Sequence, residues 1–200
     1  PPSLTAATGM DALTHAVEAY TNLFASKYVQ NTAREAVYTI FQTLPRAVEN
    51  GEDLEARGKM LHASMQAGIA FTNNFVGYVH ALAHAIGGLY GVPHGKANAV
   101  LLPAVFDEFG KSAYKKLSQL AAVIGVEKAT EQESAAAFLA AVRELRETVK
   151  MPENFPELRP ADYDQLINHA MKEANPMYPV PEIWGRESFL RVLRAVTPKN

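Results

Sequence analysis

Four of the six histidines in this 200-residue chain are spaced so that they could bind a metal ion. His15 follows Asp11 by four residues, and His84 follows His80 by the same interval. Residues four apart lie on one face of a helix, with Cβ atoms about 5–6 Å apart, which suits two ligands of one metal ion. Because the chain contains no cysteine, this pattern predicts a divalent ion bound by nitrogen and oxygen ligands.

The fourth of these histidines, His94, joins the group only if the chain reverses direction before it. On one continuous helix, His80 and His94 would lie about 21 Å apart along the axis. A metal ion needs its nitrogen ligands within about 2.1 Å. Gly87, Gly88 and the Gly91–Pro93 segment lie where a break is required, and glycine and proline favour such a break. The sequence therefore predicts a turn that brings His94 back towards His80.

Structural explanations also exist for single members of this group. Thr8–Asp11 fits a pattern that opens helices, in which Asp11 would serve only the first turn. A lone histidine such as His15 is more often a half-buried structural residue than a ligand. The pair is harder to explain in this way, because two polar groups on a helix face rich in alanine need partners. His62 and His169 lie in charged, amphipathic segments, and we interpret both as surface or packing residues.

The segments that carry these residues have helical periodicity. Apolar residues recur at intervals of three and four in nine segments, which are Ala12–Leu23, Val29–Leu44, Leu54–Phe71, Val79–Tyr90, Ala97–Phe109, Tyr114–Ile124, Ala135–Val149, Tyr163–Ala174 and Phe189–Val196. No stretch alternates at a period of two for long enough to indicate a strand. The sequence therefore predicts an all-α fold, a bundle of about nine helices.

Local signals for helix ends agree with this pattern. Thr130–Glu133 fits a capping box, and Gly110 and Gly125 are typical of helix C-termini. Pro160 suits a first helical position. Pro45 is expected to end or kink the second helix.

Composition narrows the classes of function. With 48% hydrophobic residues the chain can form one packed core. A net charge of −2 with dispersed basic residues gives no reason to expect a nucleic-acid or membrane partner. The absence of cysteine excludes a disulfide scaffold and is consistent with a reducing compartment, so we expect a cytoplasmic protein. No apolar run reaches the length of a transmembrane helix.

Two segments closely resemble the metal-binding half of the iron-containing (group III) alcohol dehydrogenases. They are T-A-A-T-G-M-D-A-L-T-H-A-V-E-A-Y, at 5–20, and G-Y-V-H-A-L-A-H-A-I-G-G-L-Y-G-V-P-H-G-K-A-N-A-V-L-L-P, at 77–103. The resemblance extends over essentially the whole chain and implies the C-terminal helical domain of the dehydroquinate-synthase-like fold. It also implies site residues: Asp11, His15, His80 and His94 would bind the metal, and His84 would lie beside the metal and the nicotinamide.

The resemblance also implies an activity. Fe(II), or Zn(II), which the same ligands accept, would activate an alcohol or aldehyde oxygen for hydride transfer to or from NAD or NADP. His84 would relay or orient the proton. The N-terminal half of the family, with its dinucleotide-binding domain, has no counterpart here, and Pro1 falls about where that half should end. We therefore expect residues 1–200 to form a single helical metal-binding domain. The domain should be inactive alone, and the full-length enzyme should be a homo-oligomer, a dimer.

Two other functions stay open at this point. One is a metal-dependent lyase or synthase related to dehydroquinate synthase, and the other is a non-catalytic helical module with structural histidines. The spacing of Asp11 and His15 fits the dehydrogenases better, because dehydroquinate synthase usually has a glutamate where Asp11 stands.

Overall fold

The computed structural model describes residues 1–198, which form nine α-helices and one short 3₁₀ turn. The helices are α1 (Pro2–Thr21), α2 (Lys27–Glu49), α3 (Leu54–Asn74), α4 (Tyr78–Tyr90), α5 (His94–Phe109), α6 (Lys111–Val123), α7 (Glu131–Thr148), α8 (Tyr163–Ala174) and α9 (Arg186–Ala195), with the 3₁₀ turn at Pro160–Asp162. Each helix corresponds to one predicted segment, and no strand occurs within residues 1–198. The prediction of an all-α fold is confirmed.

The first helix begins well before the segment that periodicity indicated, at Pro2 rather than Ala12. Asp11 therefore lies inside α1, and the hydroxyl of Thr8 donates a hydrogen bond to the carbonyl oxygen of Leu4 instead of capping a helix. The explanation of Asp11 as a residue of the first turn is wrong. Proline suits the start of this helix because its fixed φ is already helical and it has no N–H to leave unpaired.

Most of the local end signals have the predicted role. The side chain of Thr130 and that of Glu133 exchange hydrogen bonds with each other's backbone N–H, which completes the capping box of α7. Gly110 and Gly125 have φ of +50° and +75°, a region that favours glycine. Pro45 was expected to end or kink α2, and it does not end the helix, which continues to Glu49. Pro45 lies four residues before the end of α2 and removes one backbone hydrogen bond, and packing keeps the helix intact.

The central element of the packing is α1. It contacts α2, α3 and α5, while α4 packs against α5 and α8. Met10, Leu13 and Val17 of α1 are completely buried among these neighbours. Helices α1 and α4 both pack on α5, and side chains of the two meet there, since the ring of His15 stacks on that of His80 with centroids 4.1 Å apart. Within residues 1–198, no helix is both long enough and apolar enough to cross a bilayer.

Close packing of α5 on α1 depends on Gly95. A Cβ atom at this position would lie 2.2 Å from the carbonyl oxygen of Ala7, a backbone atom that cannot rotate away. We expect Gly95→Ala to lower the free energy of unfolding by about 1–3 kcal/mol, as overpacking does, although alanine favours helices. Gly58→Ala in α3 is the matched control, because nothing lies within 4 Å of the added Cβ. It should be stabilising by up to about 1 kcal/mol. Chemical denaturation measures both, and equal stabilities for the two variants would contradict the close contact.

Candidate metal centre

The four residues that the resemblance implies as metal ligands, Asp11, His15, His80 and His94, lie together where α1, α4 and α5 meet. Asp11 Oδ1 is 3.7 Å from His15 Nε2, 3.5 Å from His80 Nε2 and 3.3 Å from His94 Nε2. One ligand atom from each residue lies within 4.8 Å of the other three. In a tetrahedral site with bonds of about 2.1 Å, two ligand atoms are about 3.4 Å apart. These separations therefore fit one metal ion.

The predicted reversal of the chain brings His94 to this point. Helix α4 carries His80 and ends just before Gly91, whose φ of +69° is left-handed. Helix α5 then begins at His94 itself. Gly87 and Gly88, which were also expected to contribute to the break, remain helical within α4. The turn is therefore shorter than the glycine pattern indicated.

Stacking holds the imidazole of His15 in place. Its ring lies between those of Phe71 and His80, with centroid distances of 4.2 Å and 4.1 Å. The ring planes are inclined by 20° and 26°, so both contacts are stacked. His15 Nε2 is thereby kept near Asp11.

The charges of the cluster suit a cation. Burial by itself would raise the pKa of Asp11, but the hydrogen-bonding imidazoles of His80 and His94 hold that pKa well below its usual range. Burial and the neighbouring His80 lower the pKa of His15 to about 4. Burial opposes protonation of His80, yet the carboxylates of Glu18 and Asp11 raise its pKa to about 9. At neutral pH Asp11 is therefore anionic and His15 neutral, while a cation at His80 Nε2 would displace a proton.

Asn98 lies against three of the four ligand atoms. Its Nδ2 is 2.6 Å from Asp11 Oδ1, 3.1 Å from His94 Nε2 and 3.2 Å from His80 Nε2. Within residues 1–198, two buried side-chain polar atoms lack a hydrogen-bond partner, Asn98 Oδ1 and His15 Nδ1. Both atoms belong to residues at this site, and a buried polar atom without a partner needs an explanation such as a bound water or ion. The donor set of one carboxylate oxygen and three imidazole nitrogens, at these separations, fits a divalent ion.

His84 lies beside the cluster and outside it. Its ring centroid is 5.2 Å from that of His94 and 6.0 Å from that of His80. His84 Nδ1 is 2.8 Å from Glu173 Oε1, which also accepts a hydrogen bond of 2.8 Å from the hydroxyl of Tyr178. Burial would raise the pKa of Glu173, but these two hydrogen bonds lower it. An ionised carboxylate only accepts, so His84 Nδ1 is the donor.

Exposure differs across the cluster, and this gives the site an open side. The side chain of His80 is 1% exposed, whereas those of Asp11 and His94 are 25% and 40% exposed. Within this chain the cluster is therefore most exposed on the side of His94. His62 and His169 are exposed and outside the cluster, as expected for surface residues.

Sequence reasoning missed three polar residues that contact the histidines: Glu18, Asn98 and Glu173. The first two had a signal, because Glu18 follows His15 by three residues and Asn98 follows His94 by four, so each pair shares a helix face. Glu173 had none. It is 89 residues from His84 in the chain, and only the packing of α8 on α4 brings the two together.

Comparisons with known proteins show which family this chain resembles. Residues 5–197 match the profile of the C-terminal part of the Fe-containing alcohol dehydrogenase family. The chain is 44% identical over 187 residues to alcohol dehydrogenase 4 of Schizosaccharomyces pombe, over 90% of this chain and 43% of that protein. It is 41% identical over 179 residues to 1,3-propanediol dehydrogenase of Klebsiella pneumoniae, over 88% of this chain and 46% of that protein.

Solved structures give the same result for the fold. The crystal structure of a 1,3-propanediol oxidoreductase superposes with a TM-score of 0.92 at 37% identity, over 97% of this chain and 52% of that one. An alcohol dehydrogenase from Oenococcus oeni superposes with a TM-score of 0.93 at 33% identity, over 98% and 52%. The chain thus spans about half the length of the relatives it matches.

Proposed function

This chain belongs to the Fe-containing alcohol dehydrogenase family, and we propose that it forms the metal-binding half of an NAD(P)-dependent alcohol dehydrogenase. The observation that carries the proposal is the convergence of four ligand atoms within 4.8 Å of one another. The proposed ligands are Asp11, His15, His80 and His94. We propose Fe(II) as the ion, and the same set of one oxygen and three nitrogens also suits Zn(II).

The charges of the ligands define the chemistry of the site. One aspartate and three neutral histidines leave a divalent site with a net charge of about +1. When bound, the ion supplies Lewis-acid chemistry that stabilises negative charge on a substrate oxygen. Asp11 and His94 are the most exposed of the four ligands, and we propose that a small alcohol or aldehyde approaches the ion from their side.

The proposed role of His84 is proton transfer. Glu173 and Tyr178 hold Nδ1 through the shared carboxylate oxygen, so Nε2 is the nitrogen left to exchange a proton with a substrate hydroxyl. The ring lies close to His94 on the open side of the cluster. His84 is thus placed to act beside the substrate and the nicotinamide without serving as a ligand.

The dinucleotide is proposed to bind through a second domain. Residues 1–198 contain no strand and therefore no strand–glycine-loop–helix unit of the kind that binds a pyrophosphate. The relatives are about twice as long as this chain. We propose that the full-length enzyme has both domains, assembles as a homodimer, and transfers hydride between a small alcohol and NAD or NADP.

Binding and activity assays test the proposal that the metal and the dinucleotide bind to different domains. We expect the isolated chain to oxidise no alcohol and to bind NAD⁺ and NADP⁺ weakly, since the pyrophosphate site is outside residues 1–198. Calorimetry measures the binding, and absorbance of the reduced nicotinamide measures turnover. Fusion to the N-terminal half of the Schizosaccharomyces pombe relative should restore alcohol oxidation. Tight dinucleotide binding or turnover by the isolated chain would show that a second domain is not needed to bind the dinucleotide.

A further inference from the structure

Glu18 is a buried carboxylate that contacts the proposed ligand His80 on the side of the imidazole ring away from the cluster. It is 2% exposed and lies on the face of α1 that carries Asp11 and His15. Its Oε2 atom is 2.6 Å from His80 Nδ1. The other ring nitrogen, His80 Nε2, is the one that lies 3.5 Å from Asp11 Oδ1. Glu18 is therefore separated from the metal position by the imidazole ring.

The start of α4 holds Glu18 in this orientation. The backbone N–H of Val79 donates to Oε1 over 2.7 Å, and that of Gly77 donates to Oε2 over 2.9 Å. The first N–H groups of a helix have no partners within it, and the positive end of the helix dipole favours an anion. Gly77 makes the approach possible, because a Cβ atom there would lie 2.8 Å from Oε1. These backbone contacts therefore bind the carboxylate of Glu18 and fix its orientation.

In the neutral form of His80, this arrangement determines which ring nitrogen carries the hydrogen atom. Both oxygens of Glu18 already accept hydrogen bonds from backbone N–H groups, and His80 Nδ1 donates to the same carboxylate. Neutral His80 then has its lone pair on Nε2, the atom that belongs to the cluster. Histidine ligands commonly donate their second N–H to a carboxylate, which sets the tautomer and makes the ligand nitrogen more basic.

We propose that Glu18 is a positioning residue that keeps His80 in the Nδ1–H tautomer and thereby raises the affinity of the cluster for a divalent ion. The inference rests on the proposed metal-binding function. It assigns to Glu18 a role beyond capping α4, because capping alone does not require contact with His80.

The test is the Zn(II) affinity of the full 200-residue chain, measured by competition with a chelator. Glu18→Gln is expected to bind Zn(II) about 10- to 100-fold more weakly. Glutamine has nearly the same size and still offers one oxygen to the backbone of α4. It lacks the negative charge that makes a strong acceptor for His80 Nδ1–H.

A matched control separates positioning from structural support. Asn22 is also 2% exposed, follows Glu18 by four residues, and donates to the carbonyl oxygens of Asn74 and Val76, 3.0 Å away in each case. It secures the loop before α4 without contacting a histidine of the cluster. Asn22→Ala should lower the melting temperature and leave the Zn(II) affinity close to that of the unsubstituted chain.

A second measurement needs no variant. In the ¹⁵N NMR spectrum of the Zn(II)-loaded chain, His80 should have a protonated Nδ1 and a metal-bound Nε2. Zn(II) bound at Nδ1 would overturn the proposal. So would an unchanged affinity in Glu18→Gln, or an equal loss of affinity in Asn22→Ala, and in these cases the metal-binding function would still stand. If the unsubstituted chain binds no Zn(II), the proposed function fails together with this inference.

Discussion

His80→Ala is expected to leave the purified chain without a stably bound divalent ion. His80 is 1% exposed, the most buried of the four proposed ligands. Its loss leaves one aspartate and two histidines, of which His94 is 40% exposed. Three ligands, one of them partly exposed, bind a divalent ion more weakly than four. Because metal binding is coupled to local order, the loss of one ligand also weakens the ordering of the site. We expect the affinity for Zn(II) to fall by more than the 10- to 100-fold typical of groups that only contact a ligand.

Elemental analysis and competition with a chelator measure this effect. Because His80→Ala also leaves buried Glu18 without its partner, circular dichroism must show that the variant folds. Asp11→Asn is a second test of the assignment, since it removes the negative charge of the cluster while the side chain keeps nearly the same size. His62→Ala is the control, because His62 is exposed and outside the cluster. Wild-type metal content in both His80→Ala and Asp11→Asn would refute the assignment of these ligands.

His84→Ala should have the opposite combination of effects. In the enzyme joined to its dinucleotide-binding half, we expect the variant to keep its metal and to lose about 10²- to 10⁴-fold in turnover, the usual contribution of a positioned acid or base. The reason is geometric. His84 lies one helical turn beyond His80 on α4, about 6 Å along the axis, and its Nδ1 is bound to Glu173 instead of joining the cluster.

Metal content and turnover measured on the same samples separate the two roles. His169→Ala is a suitable control, because His169 is an exposed histidine on α8, the helix that carries Glu173. Its metal content and rate should match those of the unsubstituted enzyme. If His84→Ala were metal-free while His80→Ala retained its metal, the two histidines would have exchanged roles.

The sequence by itself determined the helices and most of the cluster. Apolar periodicity, the Thr130 capping box and glycines such as Gly110 act over one or two turns, so a local pattern predicts them well. The pairs Asp11–His15 and His80–His84 follow from the geometry of one helix. The return of His94 follows from chain length and the need for a turn.

Only the tertiary structure decided which other polar side chains contact these histidines. Helix spacing could not assign different roles to His80 and His84, because both lie on one face of α4. The packing of α8 distinguishes them, because it places Glu173 beside His84. Glu18 reaches His80 because α1 lies next to the start of α4 and Gly77 leaves room for the carboxylate. Such contacts join residues distant in the chain, and they depend on how helices pack, which periodicity within a single helix does not encode.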